Sequence, residues 1–67
     1  MSVARVTEIK ATSTESFDGA VRAGVARASQ TLKNVKSAWI AEKEVKIENG
    51  EIAEYRVLMK VTFVLDD

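Results

Sequence analysis

The stretch "VKIENGEIAEYRVLMKVTFVL", Val45 to Leu65, sets the Asn49-Gly50 turn signal between two runs rich in β-branched and aromatic residues. Such a pattern predicts a β-hairpin, with strands over roughly 37–47 and 51–64. In the later strand Ala53, Tyr55, Val57, Met59, Val61, Phe63 and Leu65 are apolar at period two, so this set faces the core. The alternate set is Glu54, Arg56, Leu58, Lys60, Thr62 and Val64. In the earlier strand Ala38 and Ile40 share one phase, whereas Val45 and Ile47 share the other. A bulge or sharp bend near residues 41–44 would reconcile them. Pairing Val45 with Ala53 predicts a three-residue loop of Glu48, Asn49 and Gly50, with Gly50 in the left-handed region.

Upstream of the hairpin, "TSTES" supplies helix-capping oxygens, with Thr12 and Glu15 at capping-box spacing and Ser13 as a competing N-cap. Phe17, Ala20, Val21, Gly24, Ala28, Leu32 and Val35 then recur at helical steps and define one buried face. Ala20, Gly24 and Ala28 make the middle of that face small, so a sheet can approach the helix backbone closely. Residues 3–10, with Val3, Val6 and Ile9, read as a further strand. The order is therefore β-α-β-β, an α+β fold in a single domain over residues 1–67.

Composition narrows the function. A 67-residue chain buries a modest core, and scaffolds of this size usually need disulfides, a metal or subunit contacts as well. The sequence contains neither cysteine nor histidine, which removes disulfides, zinc-type sites and Cys-His or Ser-His nucleophiles. Self-association is the remaining staple. Ten basic residues balance ten acidic ones, so no field favours nucleic acid or an anionic membrane. The N-terminus lacks a signal-peptide apolar region, and no apolar run reaches the length of a membrane span, so the chain reads as cytoplasmic. Gly19, Gly24 and Gly50 are too dispersed for a phosphate-binding loop.

Strand phase turns Trp39, the sole tryptophan, away from the helix, on the side of Ser37, Leu58 and Lys60. One helix covers only one sheet face, so an outward indole beside Leu58 and Val64 calls for a neighbouring subunit or a flat ligand. Arg56 also points outward, suiting a rim ion pair or ligand recognition. Tyr55 belongs to the core-facing set. The carboxylates of "AEKEVKIENGE" alternate with lysines and read as a solvated, salt-bridged face rather than a metal or catalytic site. No catalytic residue and no metal ligand is expected.

The segments "ARVTEI", "TSTESFDGAV", "GVARASQTL" and "IENGEIAEYRVLMKVTFVLDD" together resemble the dodecin family over essentially the full length of the chain. That resemblance implies a three-stranded antiparallel sheet partly wrapping one helix, and a hollow homododecamer. It further implies flavin storage or sequestration rather than catalysis, with FMN, riboflavin or a related flavin stacked on a strand tryptophan and held at its edge by a glutamine. Counted back from "YRV", the family's tryptophan falls on Ser37 and its glutamine on Arg56. Trp39 stands two residues further along, on the same sheet face and roughly 6–7 Å away. By resemblance, Trp39, Arg56 and Ser37 are the expected flavin contacts. The other reading is a dodecin-like shell that no longer binds flavin in the usual way, with Trp39 in a subunit interface and another small molecule or cations in the cavity.

Overall fold

The computed structural model describes residues 2–65. Four elements follow in order: β1 (Ala4–Ser13), α1 (Phe17–Thr31), β2 (Val35–Glu48) and β3 (Glu51–Val64). β3 is the central strand of an antiparallel three-stranded sheet ordered β1-β3-β2. The β-α-β-β, α+β architecture is the one the sequence predicts, and α1 packs on one face of the sheet.

The helix starts later than the capping-box spacing implies. Ser16, rather than Thr12 or Ser13, is the N-cap, and its Oγ accepts from the Gly19 N–H at 2.9 Å. Ser13 instead ends β1, and its Oγ accepts from the Glu15 N–H at 3.0 Å, shaping the turn into the helix. The helix also ends sooner, at Thr31. Asn34 adopts φ 59°, a left-handed conformation that asparagine tolerates, and its carbonyl accepts from the Val64 N–H at 3.0 Å. That contact redirects the chain into β2. Leu32 and Val35 still pack on the core, so their helical spacing continued past the end of the helix itself.

Val57, Met59 and Val61 of β3 are fully buried in one cluster with Ala20, so the middle of the period-two set meets the helix as predicted, whereas Ala53 is left unpaired at a register shift and Leu65 lies beyond the strand, 40% exposed. Close approach is required at Gly24, where an added Cβ would fall 2.2 Å from the Met59 Cε and 3.1 Å from the Ala11 Cβ. The small stripe Ala20, Gly24 and Ala28 therefore sets how near the sheet comes to the helix. At the end nearer the hairpin, Phe17 meets Tyr55 edge-on, with ring centroids 5.2 Å apart.

β2 changes phase between Ile40 and Glu42, within the region where the sequence requires a bulge. The hairpin loop differs from the expected one. Val45 pairs with Tyr55 rather than Ala53, and Glu48 pairs with Glu51, leaving a two-residue turn of Asn49 and Gly50. Both have positive φ, 53° and 78°, the conformation of the primed turn whose twist matches paired strands. The extra residue is absorbed between the Lys46–Glu54 and Ile47–Ile52 pairs, where Ala53 lies between two paired positions.

Candidate functional site on the open sheet face

The sheet face away from α1 carries the candidate site. Trp39 is a neighbour of Ala38 and Ile40, which pack on the core, and alternation sends the indole to the opposite side. It is 65% exposed and pairs across the sheet with Lys60, whose Nζ lies 5.1 Å from the ring centroid. An ammonium over an indole face is a cation–π arrangement, worth about 0.5–1 kcal/mol where exposed. Ser37, also exposed, pairs with Thr62 on the same face. Trp39 and Ser37 are thus brought together, with Val6 of β1, which also pairs with Thr62 and is exposed, across the sheet.

Arg56 is not part of this group. Trp39 aligns with Lys60, and Arg56 is four residues back along β3, about 13 Å away. Its guanidinium is already engaged. Nε and Nη2 both donate to Glu54 Oε1, at 3.1 and 3.0 Å, and Nη1 lies 3.7 Å from Glu44 Oε1. Lys10 of β1 reaches the same Glu44 oxygen at 3.2 Å, so ion pairs link all three strands. The Lys10 hydrogen bond and charge, with a smaller contribution from Arg56, hold the Glu44 carboxyl below its ordinary value. The Glu54 hydrogen bond raises Arg56 further above its already high value. These carboxylate partners were missed in the sequence, although Glu54 and Arg56 stand two apart in one strand, the spacing that places side chains on one face.

Between the indole and the arginine, Lys10, Glu42, Lys43, Glu44 and Leu58 line a depression of about 360 Å³. Its floor is apolar at Leu58 and its rim is charged with both signs. Among the described residues no three acidic side chains converge as a metal-binding group, and no helix is long and apolar enough to cross a membrane.

A one-helix, three-stranded module with a bare aromatic on its open face describes a small binding protein that buries that face against something else. The family model described as Dodecin matches residues 3–66, and the chain belongs to the dodecin family. The dodecin of Thermus thermophilus is 36% identical over 62 residues, spanning 90% of this chain and 87% of its own. Among solved structures, dodecin from Streptomyces davaonensis matches at a TM-score of 0.94 and 44% identity, covering 98% of this chain and 97% of that one. Dodecin from Streptomyces coelicolor matches at 0.94 and 38%, over 98% and 94%. The calcium dodecin of Mycobacterium tuberculosis is similar at 0.83 and 28%, over 96% and 91%.

Proposed function

We propose that this chain is the subunit of a homododecameric shell that binds flavin, as FMN, riboflavin or a related isoalloxazine, with the ring stacked on Trp39. The observation that carries the reading is the bare indole at 65% exposure on a sheet face that α1 does not cover. A planar tricyclic ring is a natural partner for such a surface, because it removes apolar area from water on both sides. Lys60 lies close enough to hydrogen-bond a carbonyl edge or attract a phosphate once the ring is seated. Ser37 offers a small hydroxyl at the next same-face position.

Within one chain about 13 Å of strand separates Arg56 from the level of Trp39, so Arg56 would meet the far end of a flavin stacked on Trp39, or one held by a second subunit. Its two carboxylate partners neutralise it, so it contributes a flat, rigid surface or a redirected donor rather than a free charge. The role is storage or sequestration, and we assign the chain no reaction. Titration of riboflavin, FMN and lumichrome with the purified protein tests the reading through quenching of ligand fluorescence. Quenching that Trp39→Ala weakens supports it, and absence of quenching at roughly tens of micromolar ligand rules it out.

A further inference from the structure

A groove runs between α1 and the free edge of β1, and none of Trp39, Ser37 and Arg56 lines it. It lies on the helix side of the sheet, since Ile9 and Ala11, which form part of it, pack towards the core. Its volume of about 660 Å³ falls within the roughly 300–1,000 Å³ of small-molecule sites. The floor is aliphatic, built from Ile9, Ala11, Gly24, Ala28 and Leu32, and no aromatic side chain lines it. A flat ring therefore gains no stacking there, whereas an alkyl chain is taken out of water along its length.

Charge decides what the chain must carry. No acidic residue lines the groove. Of the two cations on its wall, Lys10 is paired with Glu44 at 3.2 Å, whereas Arg27 is exposed and makes no ion pair among the described residues. Helical side chains lean towards the N-terminus, which carries Arg27 over the Ala23–Gly24 end of the groove. From Gly24 to Leu32 the helix rises about 12 Å, the length of roughly ten bonds of an extended chain.

We propose that this groove is a second ligand site, separate from the flavin face, and that it takes a medium-chain aliphatic carboxylate. The alkyl chain lies along the floor from Gly24 to Leu32, and Arg27 holds the carboxylate. A guanidinium and a carboxylate form a charge-assisted, bidentate pair, whereas an ammonium head would meet the same arginine with like charge.

Calorimetric titration of the assembled protein with octanoate, decanoate and decylamine tests the assignment. Decanoate should bind, more tightly than octanoate by up to about four-fold per added methylene, and decylamine should not. Arg27→Gln should weaken decanoate by roughly ten-fold or more and leave the flavin titration and the native mass unchanged. Ala23→Trp, which fills the groove from its exposed rim, should abolish decanoate binding. Trp39→Ala should leave decanoate binding intact, which tells the groove apart from the indole face. No heat from decanoate at about one millimolar, equal binding of decylamine, or an affinity that neither groove variant changes overturns the proposal. So does loss of decanoate binding in Trp39→Ala, which would assign the ligand to the flavin face. Silence with decanoate and a smaller native mass for Ala23→Trp would give the groove to a second copy of the chain, and equally overturns it.

Discussion

The Lys60 ammonium lies 5.1 Å from the centroid of the Trp39 ring, although Glu8 faces Lys60 directly from β1. An exposed lysine with a carboxylate opposite it on one side and an indole on the other rests over the indole. That arrangement places a positive charge at the edge of the surface on which a planar ligand would stack. Lys60→Met should therefore weaken FMN, which carries a phosphate, several-fold more than riboflavin, which does not. Parallel fluorescence titrations of the two ligands check the difference, and it should shrink as salt is added.

Trp39→Ala should leave the far-UV dichroism of the protein unchanged, because the indole contributes nothing to the cluster around Met59. Flavin affinity should fall by roughly five- to 150-fold, the loss expected when one aromatic stacking partner worth about 1–3 kcal/mol is removed.

At Gly24 the helix–sheet spacing is set by the Met59 methyl, and Met59 is fully buried. Gly24→Ala gains about 1 kcal/mol of helix propensity but overpacks the seam, at a cost of about 1–3 kcal/mol. The net expectation is a destabilisation of about 1 kcal/mol in denaturant unfolding. Combining it with Met59→Leu, which removes the terminal methyl from that line, should recover part of the loss.

Gly50 has no neighbour within 4 Å of an added Cβ, so its substitution reports backbone conformation alone. At φ 78°, Gly50→Ala should cost about 1–2 kcal/mol. Gly50→Asn should cost less, because asparagine tolerates the left-handed region.

Glu44 supplies a pH dependence of known sign. Its folded-state value is depressed below the ordinary 4.5, chiefly by the Lys10 hydrogen bond. Its contribution to stability is therefore present above that ordinary value and is lost as pH falls through the lower folded value. Glu44→Gln should flatten the acid limb of a stability–pH curve measured between about pH 3 and 6, and Lys10→Ala should do most of the same. Because the pair is exposed, added salt should diminish the effect.

The fold was legible where side-chain period and burial coincide. The alternation of Val57, Met59 and Val61, and the phase switch between Ile40 and Val45, both describe what the sheet does against α1. Legibility failed at the element ends. The sequence singles out Thr12 and Ser13 as caps, but β1 runs on to Ser13 and the cap falls to Ser16. Val35 kept a helical interval because a chain that has left the helix still packs on the same core. At the hairpin, Asn49-Gly50 imposed its own two-residue turn and pushed the surplus residue into the arm at Ala53. For the site, outward placement of Trp39 followed from strand phase. Occupation of Arg56 by Glu54 and Glu44 did not, since it depends on which of several nearby carboxylates a long side chain selects.

The most direct measurement is native mass spectrometry of the protein mixed with FMN, on the unaltered chain and on Trp39→Ala side by side. We expect a dodecamer carrying flavin for the first and a dodecamer without flavin for the second. An unaltered dodecamer that stays empty, a subunit that does not assemble, or a Trp39→Ala assembly loaded as fully as the unaltered one would contradict it.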